Sequence, residues 1–298
     1  MPVNVEMRSG RTYTIQTDHS GDSIYVDGKW VGVSPQKLEL SYGVHTIRAE
    51  RGEQHTEKQL EVTETGGERV VTLGFGLLSG IRWSSSVTPK QKEILSRLVE
   101  NMVQVEGGRF QMGGTPEQGS DANDWEKPVH EVTLSDYYMG KYEVRQSEWE
   151  AVMGNNPSGF KGADLPVEQV SWEDCHEFIG RLNALTGLSF KLPTEAQWEY
   201  AARGGRMSKG YKYSGSNNIG EVGWYKSNFR NYRHPVGEKQ PNELGLYDMS
   251  GNVWEWCEDW YGDYSSDSQS DPMGAVSGSL RVFRGGSWYG DARFCRVS

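Results

Sequence analysis

The run from Gly245 to Tyr264, GLYDMSGNVWEWCEDWYGDY, constrains the fold more than any other stretch of the sequence. It holds three Trp and five acidic residues, and neither the 3.6-residue period of a helix nor the two-residue period of a strand orders them. The whole chain has 37 Gly and 11 Trp, which favours tight turns braced by large aromatic rings over long regular elements. We therefore predict an irregular, loop-rich fold for most of the chain.

A different pattern fills the first quarter of the chain. From Thr12 to Leu73, apolar and polar residues alternate in short runs that Gly, Pro and Asp interrupt, as is typical of short antiparallel strands. Asp27-Gly28 between two such runs is a strong signal for a type I′ hairpin, because both turn positions favour positive φ. The sequence predicts a small β-sandwich over residues 1–75.

Residues 76–102 are predicted to join this sandwich to the rest of the chain. A stretch rich in Gly and Ser leads into a helix with Thr88 as its N-cap. Three further helices are expected downstream, the last two capped by Ser171 and Thr194. Residues 103–298 are therefore predicted to form a second domain.

The charge and hydropathy of the chain exclude some classes of partner. The formal net charge is −10 and no block of Lys and Arg is present, so nucleic-acid binding is not expected. No apolar run approaches the ~20 residues of a transmembrane helix, and the first ten residues lack the pattern of an export signal. A lipid anchor on a removed segment is compatible with this sequence, and a protein, peptide or sugar is the expected partner.

The three cysteines are too few for a disulfide framework and lack CxxC spacing, so a zinc cluster is not expected. Cys175 falls on the apolar face of a predicted helix and is expected to lie in the core.

The segment around Asn252 has two interpretations. Asn252, Glu255 and the backbone carbonyl of Val253 would provide hard oxygen ligands within a few residues, which favours calcium. In the alternative, Asn252 stabilises a turn and Glu255 caps or pairs internally, while the adjacent Trp side chains fill a core. The segment has no Asp-rich loop of EF-hand spacing, and both interpretations stay open.

Five segments of the predicted second domain resemble the formylglycine-generating-enzyme family, also called sulfatase-modifying factors, in order and spacing. They are VEGGRFQMGG, PVHEVTLSDYYMGKYEV, the run from LPVEQVSW to EYAARGG, the run from HPVGEKQ to DWYG, and RVFRGGSWYGDARFCRVS. The resemblance covers about two thirds of the chain. It implies an α+β, C-type-lectin-like fold with little regular secondary structure, and a calcium site at Asn252, Val253 and Glu255.

Catalytic members of that family oxidise a cysteine of a client sulfatase to formylglycine, using two cysteines that bind copper(I), a soft metal suited to thiolates. Counting from the GGS motif, Gly290 stands in place of the first of these cysteines, and Cys295 alone can occupy the second position. One thiolate cannot supply the pair, so we expect neither copper nor enzymatic activity. A formylglycine-generating oxidase is the alternative function.

The resemblance also bears on Cys257 and Cys295. In non-catalytic relatives the pattern WEWC commonly accompanies CRVS, which implies that these two cysteines lie close together. Whether they form a disulfide or remain two buried thiols stays open.

One branch of this fold serves as the variable protein of diversity-generating retroelements, in which Asn codons at fixed C-terminal positions are randomised. RVFRGGSW, Ala292 and CRV would form the constant part here. The candidate ligand-binding residues are Trp288, Tyr289, Gly290, Asp291, Arg293, Phe294 and Ser298. Rigid aromatic, charged and small residues together are typical of a paratope. The sequence thus predicts a non-catalytic display protein for a protein or other macromolecular ligand, whereas an ordinary loop that binds a fixed ligand or another subunit is the alternative.

The first domain resembles the PEGA module, a β domain associated with surfaces and envelopes, through IYVDGKWVGVSPQKLELSYGVHTIRAE. This resemblance and the display hypothesis predict a location in the cell envelope or at the cell surface. Few cysteines and no export signal fit the cytoplasm, which is the alternative.

Overall fold

The computed structural model describes residues 10–17, 20–52, 54–65, 69–74, 76–229 and 234–298. The chain divides into two compact units, with the boundary between Ile81 and Arg82. The helix capped by Thr88 belongs to the second unit.

The first unit is a small β-sandwich. Its strands are β1 (Gly10–Thr17), β2 (Ser23–Val26), β3 (Lys29–Val33), β4 (Gln36–Ser41), β5 (Gly43–Arg51), β6 (Gln54–Val62) and β7 (Val70–Leu73). One sheet has the order β4-β1-β7 and the other β3-β2-β5-β6. Apolar residues from both sheets, such as Ile15 and Ile47, form one buried cluster between them. The alternation seen in the sequence thus places one face of each sheet in this core.

The predicted hairpin at Asp27-Gly28 is confirmed. Both residues have positive φ, 50° and 79°, and they connect β2 to β3. The Asp27 carboxylate accepts hydrogen bonds from the Thr46 backbone N–H at 2.8 Å and pairs with His45 Nδ1 at 2.7 Å, which holds the turn against β5.

The second unit consists of short elements joined by long irregular segments, as the Gly and Trp content predicts. Its helices are α1 (Pro89–Glu100), α2 (Gln146–Met153), α3 (Trp172–Thr186), α4 (Glu195–Ala202) and α5 (Ile219–Val222). Its strands are β8 (Met102–Val105), β9 (Gly108–Met112), β10 (His130–Leu134), β11 (Tyr137–Gly140), β12 (Glu255–Trp260), β13 (Gln269–Ser270) and β14 (Arg281–Arg284). They form three small sheets, ordered β13-β10-β9, β11-β8 and β12-β14.

The helix N-termini lie where the sequence predicts them. Thr88, Ser171 and Thr194 each accept a hydrogen bond from the backbone N–H three residues later, and the side chain at that position returns a bond to the cap. These capping boxes satisfy backbone donors that have no partner within the helix. Within the described residues, no helix combines the length and apolar character needed to cross a membrane.

Among the described residues, three core clusters lie in the second unit, and two of them are larger than the third. One unites α1, α2 and α3 through Leu95, Trp149 and Phe178, and Cys175 packs against it, as its place on the apolar helix face predicts. The other surrounds Trp198 of α4 and includes residues of β9, β10, β12 and β14. The second cluster lies under the C-terminal segment and fixes its position.

Candidate ligand surface

The C-terminal segment consists of a buried part and an exposed part. Four of its residues, here called the display residues, have exposed side chains: Tyr289, Asp291, Arg293 and Phe294. Four others, here called the C-terminal frame, are largely or fully buried: Arg284, Cys295, Arg296 and Val297. The same short segment therefore provides both an anchor and a solvent-facing surface.

Arg296 is the strongest anchor in the frame. It is 3% exposed, and its Nη1 donates to Glu126 Oε2 at 3.0 Å. Burial acts to raise the pKa of Glu126, but hydrogen bonds from Arg296 and Asn123 outweigh burial and hold that pKa below its ordinary value. The chain end is thereby tied to the segment before β10, 170 residues earlier.

Ser298, a candidate ligand-binding residue, contributes to this anchor. Its Oγ donates to Glu126 Oε2 at 3.0 Å and accepts from Arg296 Nη1 at 2.9 Å. The Ser298 hydroxyl is thus committed to the ion pair, and we assign it to the anchor rather than to the display residues.

Arg284 anchors the other end of the segment. Its Nη2 donates to Glu199 Oε2 at 2.6 Å and to the Val297 carbonyl at 3.1 Å. Glu199 is fully buried and also pairs with Arg203 at 2.8 Å. Because a buried charge is stable only when it is paired, this network fixes β14 and the chain end relative to α4.

Cys295 does not have the environment of a reactive thiol. It is fully buried, and burial raises the pKa of its thiol to about 12. A Cβ at Gly286 would lie 2.5 Å from Cys295 Sγ, so the thiol packs directly on this glycine. A buried thiol that stays protonated at neutral pH is not poised as a nucleophile.

Gly290, in place of the first family cysteine, provides no side chain for metal binding. Its carbonyl accepts from the Lys226 N–H at 3.1 Å. With one buried thiol and one glycine at these two positions, the residues present do not fit copper(I).

The expected proximity of Cys257 and Cys295 is not supported by the packing, and no disulfide joins them. Both thiols are free. Cys257 lies on β12 in the cluster around Trp198, whereas Cys295 packs with Tyr213 and Ile219 in a different cluster. The two patterns WEWC and CRVS are brought into one unit, but their cysteines face different parts of its core.

Trp288 connects the display residues to the segment around Asn252. Its backbone N–H donates to the Asn252 carbonyl at 2.8 Å, and its ring contacts Phe229 and Tyr289 at centroid distances of 5.0 and 5.4 Å. Trp288 is half-buried. It therefore acts as a rigid base for the 69%-exposed ring of Tyr289.

An aromatic ridge lies beside the display residues and was not predicted from the sequence. It consists of Trp254, Trp256 and Phe283, in which Phe283 meets the two indoles edge to face at 4.8 and 5.7 Å. Trp254 is 40% and Phe283 47% exposed. Large exposed aromatic side chains in contact with one another are typical of binding surfaces.

The ridge separates two grooves, each of about 570 Å³. The first groove runs between the ridge and the segment Val167 to Val170, and ends at Ser287, Trp288 and Tyr289. The second groove lies on the other side, and its further lining includes Trp125, Tyr261, Leu280, Arg293 and Phe294. Each groove therefore combines aromatic walls with at least one display residue.

The display residues carry both signs of charge. The Arg293 guanidinium lies over the Phe294 ring, 4.6 Å from its centroid, and Asp291 pairs with Lys226 at 3.3 Å. This surface can form directional polar contacts beside apolar ones.

The predicted calcium residues Asn252, Val253 and Glu255 are held in place by protein groups. Asn252 Nδ2 donates to Glu143 Oε2 at 2.7 Å, and the Val253 N–H donates to Glu143 Oε1 at 3.0 Å. Glu255 Oε2 accepts from Trp198 Nε1 at 3.2 Å. Asn252 has a positive φ of 58°, so it forms a turn, as the alternative interpretation states.

Two further carboxylates, those of Glu143 and Asp248, lie near this turn and were not predicted from the sequence. Asp248 is 2% exposed. Asp248 Oδ2 accepts from the Gly237 N–H at 2.6 Å, but its Oδ1 is buried without a hydrogen-bond partner. Burial raises the pKa of Asp248 to about 6 and that of Glu255 to about 8.

The donor chemistry around this turn fits a hard cation. In the described ranges, no three His, Cys, Asp or Glu side chains converge to hold a metal by themselves, so backbone or amide oxygens would have to complete a site. The unpaired Asp248 Oδ1 is the observation that favours a cation here, because a bound ion would satisfy it.

Comparison with known proteins reveals clear relatives. The sulfatase-modifying factor enzyme 1-like domain matches residues 87–298, and the PEGA domain matches residues 11–72. Chaperone protein LppX of Paenibacillus barcinonensis is 36% identical over 67% of this chain and 82% of its own length. The formylglycine-generating enzyme of Streptomyces coelicolor is 27% identical over 67% and 82%. Treponema denticola variable protein 1 has a similar structure, with a TM-score of 0.58 and 36% identity over 66% of this chain and 86% of its own.

Proposed function

This chain belongs to the sulfatase-modifying factor enzyme 1-like family, and from that premise we propose that its C-terminal surface binds a protein or other macromolecular ligand without catalysis. The match confirms the predicted fold, a formylglycine-generating-enzyme-type C-type-lectin-like domain of α+β class preceded by an all-β PEGA unit. The observation that carries the proposal is the exposure of the display residues on a buried, ion-paired frame.

The absence of catalysis is proposed from the chemistry of Cys295 and Gly290. Oxidation of a client cysteine in this family would require a thiolate pair for copper, whereas Cys295 is buried with a raised pKa and Gly290 has no side chain. Two relatives at 36% identity bear the names of a chaperone and a variable protein rather than an oxidase, which supports a binding function.

A macromolecular ligand is proposed from the size and composition of the surface. The display residues, the aromatic ridge and the two grooves form a broad area, where a small-molecule site would be one enclosed pocket. Aromatic anchors beside charged side chains are the groups that dominate protein interfaces.

Diversification of the display residues by a retroelement is a further part of this proposal. The similarity to Treponema denticola variable protein 1 supports it, and so does the solvent exposure of the four display residues. Sequencing of the locus tests it. We expect a nearby, near-identical repeat that differs at adenines, together with a reverse-transcriptase gene, and a locus without the repeat would refute this part.

We also propose that calcium binds at the turn of Asn252, Val253 and Glu255, with Asp248 as an added ligand through its unpaired Oδ1. Calcium would place a positive charge beside buried carboxylates. It would also stabilise the turn that holds Trp254 and Trp288 in position. The PEGA unit and the proposed display function together favour a location in the cell envelope or at the cell surface.

The binding function is tested with a loss-of-surface variant. In that variant Tyr289, Asp291, Arg293 and Phe294 are all changed to alanine, and the control carries Trp30→Ala and Val44→Ala, two exposed positions in the first unit. Extracts of cell-surface proteins are passed over each immobilised protein. We expect a ligand retained by the wild type and the control but lost from the loss-of-surface variant, whereas equal retention by all three would contradict the proposal.

The alternative oxidase function has its own test. The protein is titrated with copper(I) in the presence of a cysteine-containing sulfatase peptide, while oxygen uptake and peptide mass are followed. We expect neither oxygen uptake nor formylglycine, and turnover would overturn the non-catalytic assignment.

A further inference from the structure

A cavity of about 250 Å³ lies inside the second unit, away from the display residues. It is situated between the two larger core clusters, because its lining includes Phe178 from one and Met249 from the other. Most of its wall is apolar, and the side chains from the helical side are Leu98, Trp149, Cys175, Phe178, Ile179 and Leu182.

One residue of the cavity wall has a polar atom without a partner. Trp149 is buried and stacks in parallel on Phe178, with ring centroids 5.0 Å apart, but its Nε1 has no hydrogen-bond acceptor. Among the side-chain N and O atoms of the lining residues, all of which the structure describes, Trp149 Nε1 is the one that is buried and unpaired. A buried donor without an acceptor is unfavourable, and a ligand could supply that acceptor.

The carboxylates that reach the cavity have protein partners. Glu143 accepts from Asn252, Glu148 from Arg145, and Glu255 from Trp198. Among the residues that line the cavity, the Trp149 indole N–H is therefore the buried side-chain donor without a partner.

The cavity extends toward the molecular surface. Five residues line both the cavity and the first groove: Val167, Val170, Val253, Trp254 and Trp256. Trp254 is partly exposed, so the shared wall of the cavity and the first groove reaches solvent.

We propose that this cavity binds a small, mainly apolar molecule of single-ring size that carries one hydrogen-bond acceptor for Trp149 Nε1. The volume exceeds the ~150 Å³ of an engineered apolar cavity that holds benzene. An apolar wall with one directional polar group is typical of small-molecule pockets. None of the display residues lines the cavity, although Trp254 and Trp256 of the ridge belong both to its wall and to the first groove.

The test uses two probes of the same shape. Acetophenone has a carbonyl acceptor, and α-methylstyrene replaces that oxygen with a CH₂ group. Each is titrated into the full chain while the indole N–H resonances are followed by NMR, and the Trp149 signal is identified by its absence in Trp149→Phe. We expect saturable binding of acetophenone with a shift of the Trp149 signal, and about fivefold weaker binding of α-methylstyrene, since one hydrogen bond is lost.

Variants separate the hydrogen bond from the cavity. Trp149→Phe should weaken acetophenone binding about fivefold and leave α-methylstyrene binding unchanged, whereas the exposed control Trp30→Phe should alter neither. Cys175→Leu should reduce the free volume of the cavity, weaken binding of both probes and keep or raise the melting temperature.

Four results would overturn the proposal. The first is no saturable binding of acetophenone up to its solubility limit. The second is undiminished binding of the probes in Cys175→Leu, and the third is equal affinity of the wild type for the two probes. The fourth is a lowered melting temperature in Cys175→Leu, as expected where a side chain is forced into a filled core.

Discussion

The C-terminal frame and the display residues occupy the same fifteen-residue segment but differ in what holds them. Arg284 and Arg296 are buried in ion pairs with Glu199 and Glu126, carboxylates far away in the sequence. The display residues contact mainly their own neighbours, as in the stacking of Arg293 on Phe294. The geometry of the surface is therefore set by buried ion pairs, and we expect the display residues to tolerate substitution without loss of the fold.

The largest expected effect on stability comes from breaking the Arg296–Glu126 ion pair, in which both side chains are buried. Arg296→Ala leaves the Glu126 carboxylate buried and unpaired, so we expect a loss of about 3–5 kcal/mol in the free energy of unfolding. Arg293→Ala, three residues earlier and exposed, should change it by less than ~0.5 kcal/mol. Urea denaturation measures both, and similar losses in the two variants would contradict the division of the segment.

Gly286→Ala tests the packing beneath the frame. The new Cβ would meet Cys295 Sγ at 2.5 Å at a φ of +76°, so we expect a loss of roughly 2–4 kcal/mol from strain and overpacking together. Gly210→Ala is the matched control, since Gly210 has a φ of +68° with nothing within 4 Å of its Cβ, and backbone strain alone costs roughly 1–2 kcal/mol. Equal losses would mean that Cys295 does not pack on Gly286 in solution.

Removal of calcium should have a smaller effect, on the turn that supports the ridge. EDTA is expected to lower the melting temperature by a few degrees, because an ion at the proposed calcium site would bind only the folded state. Asp248→Asn should reduce that shift, whereas Asp263→Asn, at an exposed position, should leave it unchanged. An absent shift, with no calcium found by metal analysis, would refute the site.

The stability that the C-terminal frame provides depends on pH through Glu126, the partner of Arg296. In the folded state the pKa of Glu126 lies below its ordinary value of 4.5. Its ionised form is therefore favoured by folding, and its contribution is present above pH 4.5 and lost as the pH falls through the folded pKa. We expect the stability difference between wild type and Glu126→Gln to shrink as the pH is lowered from 7 into this window. A constant difference would show that the Glu126 charge does not contribute.

Local signals in the sequence were sufficient for the regular parts of the fold. The two-residue period, the Asp27-Gly28 turn and the caps at Thr88, Ser171 and Thr194 predicted the sandwich and the helix starts, because each depends on residues within a few positions. The family resemblance predicted the fold of the irregular second unit. The periodicity of apolar residues could not predict it.

Contacts across long stretches of sequence could not be predicted in this way. Glu126 and Arg296 are 170 residues apart, and Glu143 and Asn252 are 109 apart, so no spacing rule connects them. The aromatic ridge was missed for the same reason, since Phe283 meets Trp254 only through the pairing of β12 with β14. The surroundings of Cys257 and Cys295 also depend on such contacts, which place the two free thiols in different core clusters.

The division of the C-terminal segment into frame and display residues can be tested by randomising the two sets separately. One library varies Tyr289, Asp291, Arg293 and Phe294, the other varies Cys295, Arg296 and Val297, and resistance to proteolysis reports the folded fraction of each. We expect most members of the first library and few members of the second to fold. Similar folded fractions in both libraries would contradict this division.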